Sequence, residues 1–333
     1  MGGRLGGDWS FTQEELNFLA EGEGDGNLPP INNPRFTQAS QVDFLADSSI
    51  VLGLKVGSTI RAYPLQVLDW HEVVNDRIDS LVISITYSAL CGSSIAFNRL
   101  VNGNILELRS SGLLFNSNTI YSENETGTDW LQFQRKGVRG QLIEQDLSSF
   151  PVFEMKWAKW KQLFPTSSVL NHRTGFNRPY GTYPYGDYQE DTTRLFFNVN
   201  VDIDIIREIL FPKEKILGIN VNGTVVGFTL HSFSVEDFSI IETEINGEPI
   251  VVIGSQKQAF LAAYSRRTNS GTILNFTLNQ TDNEVLLVDQ EGQVWTIFGE
   301  NTADSASQLR KLESNIAYWF AWKTFYNNIE IFN

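Results

Sequence analysis

The pattern of hydrophobic and polar positions in the first half of the chain recurs in the second half. Segment 51–65 (VLGLKVGSTIRAYPL) aligns without a gap on segment 216–230 (ILGINVNGTVVGFTL), and the apolar, glycine and aromatic positions coincide. Two further pairs of blocks follow in the same order at the same or closely similar spacing: 127–130 (GTDW) with 292–295 (GQVW), and 157–164 (WAKWKQLF) with 319–326 (WFAWKTFY). Three matching blocks in one order predict an internal duplication.

Each copy has the same predicted order of elements. An extended pair around a glycine-containing turn precedes a connecting segment, several strands, a short helix and a last strand. Two tryptophans and a third aromatic residue lie three and four positions apart in each helix, so they share one face and are expected to pack in the core. We therefore predict an α+β fold that is internally duplicated, with mainly antiparallel sheets and one short tryptophan-rich helix in each repeat.

The division of the chain follows from its prolines and glycines. These residues forbid a continuous helix in the tyrosine-rich segment 174–188, which predicts a boundary between about Asp187 and Pro212. In the first fifty residues, Thr12 and Glu15 have the spacing of a capping box and predict a short helix near 12–20. The predicted parts are an N-terminal arm (1–50), a first repeat with a Tyr/Gly-rich connector (51–190) and a second, degenerate repeat (191–333).

Composition limits the classes of partner. The formal net charge of −14 disfavours nonspecific binding to nucleic acid or anionic membranes, because phosphate binding needs clustered Lys and Arg. No run approaches the ~20 apolar residues of a membrane span. We expect a small ligand or a metal ion as the partner. We also expect an extracytoplasmic protein, periplasmic or secreted, from which any export signal has been removed.

Cys91 and His71 are the candidate reactive groups. Cys91 is the only cysteine among 333 residues, and His71 precedes it by twenty positions. A thiol and an imidazole are the side chains most readily used for nucleophilic or soft-metal chemistry near neutral pH. The offset between the copies aligns His71 with Glu236 and Cys91 with the vicinity of Gln258. The first copy is therefore the predicted location of the functional site.

Three functions remain open at this point. In the first, a pocket near His71 and Cys91 binds a small ligand or a soft metal ion such as copper or zinc, with Glu72, Asp76 or Asn116 completing the shell. In the second, the chain is a cysteine-dependent enzyme in which His71 deprotonates Cys91 and the backbone after the thiol stabilises a developing anion. In the third, the chain is a structural or assembly protein with no active site. Both side chains then lie in the core, because free cysteine is among the most buried residue types.

Several motifs together resemble one family over roughly residues 28 to 332. These motifs are 30–36 (PINNPRF), 61–65 (RAYPL), 70–76 (WHEVVND), 90–93 (LCGS), 111–117 (SGLLFNS), 126–127 with Trp130 and Gln132, 174–176 (TGF), 180–181 (YG), 184–185 (PY) and 319–322 (WFAW). In combination they resemble the prokaryotic domain-of-unknown-function family 3179. The resemblance implies no established activity, and it adds Ser93, Trp130 and Gln132 to the candidate ligand-binding residues.

Two departures from the family pattern concern the candidate site. The family usually has Cys-Pro where this chain has Ser88-Ala89, so the vicinal pair of thiols is absent. The family often has Asp where this chain has Asn118. Any mechanism that this chain shares with the family must therefore use one thiol.

Overall fold

The fold is known from a computed structural model that describes residues 8–21, 28–195, 201–304 and 306–332. Strands make up 43% and helices 11% of the chain, and most strands pair in antiparallel sheets. The prediction of mainly antiparallel sheets with few helices is confirmed. Part of the predicted boundary, residues 196–200, lies outside the described residues.

The elements are numbered in chain order. The first half contains β1 Leu19–Glu21, β2 Phe36–Gln38, β3 Ile50–Val56, β4 Thr59–Pro64, α1 Leu65–Leu68, β5 Val73–Ile78, β6 Leu81–Ser88, β7 Ser93–Asn98, β8 Leu100–Val101, β9 Asn104–Ile105, β10 Arg109–Phe115, β11 Asn118–Ser122, β12 Asp129–Leu131, β13 Lys136–Arg139, β14 Ser149–Phe150, β15 Phe153–Lys156, α2 Trp157–Leu163 and β16 Ser168–Leu170. The second half contains α3 Ile203–Ile209, β17 Lys215–Val221, β18 Thr224–Thr229, β19 Ser239–Ile245, β20 Glu248–Ser255, β21 Phe260–Ser265, β22 Phe276–Gln280, β23 Val285–Asp289, β24 Val294–Thr296, β25 Glu313–Tyr318, α4 Trp319–Phe325 and β26 Glu330–Ile331. Short 3-10 helices span Glu15–Phe18, Ala39–Gln41 and Leu230–Ser232.

Two of the sheets share one strand arrangement. The order β15-β3-β4-β16 in the first half matches the order β25-β17-β18-β26 in the second. In both sheets the two strands of the central hairpin are antiparallel to each other, and β15 or β25 is antiparallel to the first hairpin strand. The fourth strand, β16 or β26, is parallel to the second hairpin strand. A tryptophan-bearing helix, α2 or α4, directly follows β15 or β25.

Two smaller sheets also correspond between the halves. The three antiparallel strands β5-β6-β7 have the same order as β19-β20-β21, and β10-β11-β12 have the same order as β22-β23-β24. The first half adds strands at the edges of these sheets, with β14 beside β7, β1 beside β10 and β13 beside β12.

The paired tryptophans lie in the core, as their spacing predicts. Trp160 and Trp322 are 0% and 2% exposed. Each indole lies directly over a glycine of the neighbouring sheet, because a Cβ atom on Gly53 would come within 1.9 Å of Trp160 and one on Gly218 within 2.3 Å of Trp322. Gly53 and Gly218 are thus required by close packing of a large ring against the backbone.

The N-terminal arm departs in part from the predicted helix. The capping box is confirmed, because the Glu15 amide donates to Thr12 Oγ1 at 3.2 Å and the Thr12 amide donates to Glu15 Oε2 at 2.8 Å. The helix ends at Phe18, and the chain continues as β1, where Leu19 pairs with Phe115. Burial of Leu19 against β10 favours the strand over a longer helix.

None of the helices in the described part of the chain has the length and apolar character needed to cross a bilayer.

The contact between Gly53 and Trp160 generates a prediction. Gly53→Ala should lower the free energy of unfolding by about 1–3 kcal/mol, because the added methyl group overpacks a filled site. Urea unfolding measures the loss. Trp160→Phe removes the outer ring atoms that the methyl group would meet, so Gly53→Ala should cost less in that background. Equal losses in both backgrounds would contradict this account of the glycine.

Candidate functional site

The turn between α1 and β5 places two carboxyl groups in the interior. Glu72 has a left-handed backbone, with φ of 57°, which is uncommon for a residue other than glycine. Its amide donates to Leu68 O at 2.7 Å, and its carbonyl accepts from the Tyr87 amide at 2.8 Å. These two bonds fix the turn between the end of α1 and the end of β6.

Asp69 and Glu72 are buried residues, with relative exposures of 8% and 3%. Burial raises the pKa of each carboxyl to about 7. The charge of Glu72 adds to the rise at Asp69, while the ammonium of Lys215 opposes it. At Glu72 a hydrogen bond with the Ser110 side chain offsets part of the effect of burial. Two buried carboxyls that change charge near neutral pH mark a candidate functional site.

The His71 imidazole lies between two fixed partners. Its Nδ1 is 2.7 Å from Pro29 O, and its Nε2 is 2.6 Å from the Tyr180 hydroxyl. A carbonyl oxygen can only accept, so Nδ1 carries the proton and Nε2 accepts from Tyr180. Burial lowers the pKa of His71, although the bond to Pro29 works in the other direction. At neutral pH the ring is therefore uncharged and both of its nitrogens are occupied.

Cys91 belongs to a different network. Its thiol donates to Ser93 Oγ at 3.1 Å, and Asn118 Nδ2 donates to its sulfur at 3.1 Å. Ser93 and Asn118 both donate to the side-chain oxygen of Gln132, whose amide nitrogen donates to Thr86 Oγ1 at 2.9 Å. Burial raises the pKa of Cys91 despite these hydrogen bonds. The thiol is thus protonated at neutral pH and lies in a hydrogen-bonded interior.

The Tyr/Gly-rich connector covers the loop that carries Cys91. The hydroxyl of Tyr183 donates to Ala89 O at 3.0 Å, and that of Tyr188 donates to Leu90 O at 2.9 Å. From the second half, the Tyr318 amide donates to Cys91 O at 2.8 Å. Hydrogen bonds from two distant parts of the chain thereby hold the β6–β7 loop in place.

Cys91 and His71 are not joined by a hydrogen bond, and their partners do not overlap. In the parts of the chain that the structure describes, no three side chains from His, Cys, Asp and Glu are grouped so as to hold a metal ion. The geometry offers neither a thiolate nor an open imidazole nitrogen. The roles of Cys91 and His71 as copper or zinc ligands, or as a catalytic pair, stay predictions that this arrangement does not support.

The other predicted binding residues differ in whether their polar atoms already have hydrogen-bond partners. Asp76 accepts from the Tyr63 hydroxyl at 2.6 Å and forms an ion pair with Arg61, so its carboxylate is already used. By contrast, Asn116 Oδ1 and Trp130 Nε1 are buried and have no hydrogen-bond partner in the part of the chain that the structure describes. An unpaired buried polar atom is costly, so these two are the better candidates for contact with a ligand or water.

A polar cleft of about 530 Å³ lies outside this region, between the segment that contains Pro29 and the sheet of β10, β11, β12 and β13. Pro29 and Ser110 form part of its wall, and these are the partners of His71 and Glu72 respectively. The cleft therefore adjoins both members of the predicted motif. The remaining lining residues are Leu28, Pro30, Arg109, Ser111, Leu113, Ser122, Glu123, Asn124, Gly127, Asp129 and Arg139.

Comparison with known proteins identifies the family. Residues 25–329 match the family described as Protein of unknown function (DUF3179). The chain belongs to the DUF3179 family. No curated protein and no solved structure matches the chain. Membership of DUF3179 brings no established function, so chemistry must be argued from the site itself.

Sequence reasoning missed several members of the DUF3179 site. Asp69 stands three positions before Glu72, and two acids so close to a buried turn were a signal that could have been used. Tyr180 is 109 positions from His71, and Ser110 lies in β10, 38 positions after Glu72. No local pattern shows that these pairs meet, because the contacts depend on the path of the chain between them.

The buried carboxyls generate a prediction of pH dependence. A carboxyl whose pKa is raised on folding stabilises the fold at low pH, and this contribution is lost as pH rises through the folded pKa of about 7. The free energy of unfolding should therefore fall between pH 5 and pH 8. Glu72→Gln should reduce that fall by about 2 kcal/mol. Urea unfolding across this range measures it.

The matched control is Glu236→Gln, which changes the exposed residue that aligns with His71 in the second copy. It should leave the pH dependence of stability as it is in the unaltered chain. If Glu72→Gln and Glu236→Gln have the same pH profile, the carboxyl of Glu72 is not the titrating group.

Proposed function

We propose that this DUF3179 protein binds a small polar ligand in the cleft beside Pro29 and Ser110. The observation that carries the proposal is the contact between the cleft wall and two motif residues, Glu72 and His71. A volume of about 530 Å³ falls within the range of small-molecule sites. Metal binding has weaker support, because the thiol and the imidazole are neutral and already bonded.

The lining indicates a ligand that carries a carboxylate and hydroxyl groups. Arg109 lines the cleft, and its guanidinium donates to Asn124 Oδ1 at 2.6 Å but forms no ion pair with any described residue. A charged, half-buried guanidinium without a carboxylate partner is suited to an anionic group of a ligand. Side chains of Ser110, Ser122 and Asn124 supply further hydrogen-bonding groups at the same wall.

Glu72 gives the proposed site a dependence on pH. When Glu72 is ionised, the Ser110 hydroxyl donates to it and turns lone pairs toward the cleft. When Glu72 is protonated, it can donate to Ser110 Oγ, and the Ser110 proton becomes available to a ligand. Protonation of Glu72 also removes a negative charge next to the wall of the cleft. An anionic ligand should therefore bind more tightly below the Glu72 pKa of about 7.

We also infer that the fold arose by internal duplication. Support comes from the matching strand orders of three pairs of sheets and from the equivalent glycine–tryptophan contacts in α2 and α4. In this proposal the first copy holds the ligand site. The second copy contributes Lys215, which affects the Asp69 carboxyl, and Tyr318, which packs beside Gly92.

Calorimetric titration with D-gluconate, and with D-glucose as its uncharged counterpart, tests the ligand class. Gluconate should bind and glucose should bind at least tenfold more weakly, because charged hydrogen bonds contribute about 1.5–3 kcal/mol. Arg109→Met should weaken gluconate binding about tenfold or more. Affinity should fall from pH 6 to pH 8, and Glu72→Gln should remove that dependence.

Arg267→Met is the matched control, since Arg267 donates to a neutral carbonyl in the second half and does not line the cleft. It should leave gluconate affinity unaltered. Absence of gluconate binding, or equal effects of the two arginine substitutions, would contradict the proposal.

A further inference from the structure

A second cleft lies between the two halves of the molecule. Its volume is about 220 Å³, and its walls come from β7 and the segment around β14 on one side and from β25 and the residues before it on the other. The residues that line it are Ser94, Ile95, Arg135, Ser149, Phe150, Pro151, Val152, Lys311, Leu312, Glu313, Ser314 and Asn315. It shares none of these residues with the cleft beside Arg109.

Two cationic side chains of this cleft lack part of their bonding. The Nε of Arg135 is buried and has no hydrogen-bond partner among the described residues. Its terminal nitrogens donate to Phe133 O at 3.3 Å, to Glu313 at 3.1 Å and to Asn315 Oδ1 at 3.0 Å, which fixes the guanidinium at the cleft wall. Lys311 is an exposed residue that forms no ion pair or side-chain hydrogen bond with any described residue.

The charge balance of the cleft favours an anion. Arg135 and Lys311 are its basic lining residues, and Glu313 is its acidic one. Glu313 is half exposed and already paired with Arg135. The positive charge of Lys311 therefore has no carboxylate partner among the described residues, in a chain whose net charge is −14. An ammonium that lines a cleft without such a partner can bind an anionic group of a ligand.

We propose that this seam between the halves binds a small dicarboxylate. One carboxylate is bound by Lys311 and the other by the Arg135 guanidinium, and the hydroxyls of Ser94, Ser149 and Ser314 offer further hydrogen bonds. The volume of about 220 Å³ exceeds the need of a single inorganic oxyanion and accommodates a chain of about four carbons. Binding at the seam contacts both halves, so the ligand stabilises the intact molecule.

Calorimetric titration of the full chain with succinate tests this site, with inorganic phosphate and butyrate in separate arms. Succinate should bind at least tenfold more tightly than butyrate, which has one carboxylate, and more tightly than phosphate. Lys311→Met should weaken succinate binding about tenfold or more. Lys257→Met removes the same charge at an exposed position outside the cleft and should leave succinate affinity unaltered.

Further variants separate this site from general effects of charge and folding. Arg267→Met changes an arginine outside both clefts and should not alter succinate binding. Arg135→Lys keeps the charge but loses the planar fork, and should weaken succinate about tenfold. If that variant fails to fold, Lys311→Met alone decides, because its side chain has no acceptor to lose. Equal affinity of Lys311→Met and Lys257→Met for succinate, equal binding of butyrate, or no binding would overturn the proposal.

Discussion

The candidate site depends above all on the removal of two carboxyl groups from water. Asp69 and Glu72 lie on a tight turn whose backbone is fixed by Leu68 and Tyr87, so their side chains cannot reach solvent without unfolding of the turn. Burial disfavours the ionised form of each by about 3–4 kcal/mol relative to water, as the rise of both pKa values to about 7 implies. This constraint makes the interior responsive to pH.

The two halves use similar sheets for different purposes. In the first half, the layer between β6 and β11 is filled by hydrogen-bonded polar side chains, including Cys91, Asn118 and Gln132. In the second half, Glu236, which the sequence alignment places opposite His71, is exposed. The first half therefore contains the buried polar network. The second half supplies a packing surface and the ammonium of Lys215, which acts on the Asp69 carboxyl.

Local patterns predicted those parts of the fold that depend on neighbours in sequence. The spacing of Trp157 and Trp160 predicted a buried helix face, and the spacing of Thr12 and Glu15 predicted a capping box. The strand β1 was not predicted, because Leu19 becomes a strand residue only through pairing with Phe115 of β10. Its neighbour across the sheet is almost a hundred positions away.

The candidate site was predicted only in part for the same reason. The sequence predicted a site that includes the turn with His71 and the loop with Cys91, and both residues are buried. It could not show that they belong to separate networks, since one partner of His71, Tyr180, comes from the connector and one partner of Cys91, Asn118, from the hairpin after β10. Which carboxyl meets which hydroxyl is decided by sheet packing rather than by spacing.

Carbon NMR titration of the carboxyl groups of Asp69 and Glu72 in the full chain tests the central claim most directly. Asp69→Asn and Glu72→Gln assign the signals, and the pair is fitted as two coupled steps. The account predicts that both groups titrate near pH 7. Midpoints for both groups at about 4, the range of carboxyls in water, would contradict it.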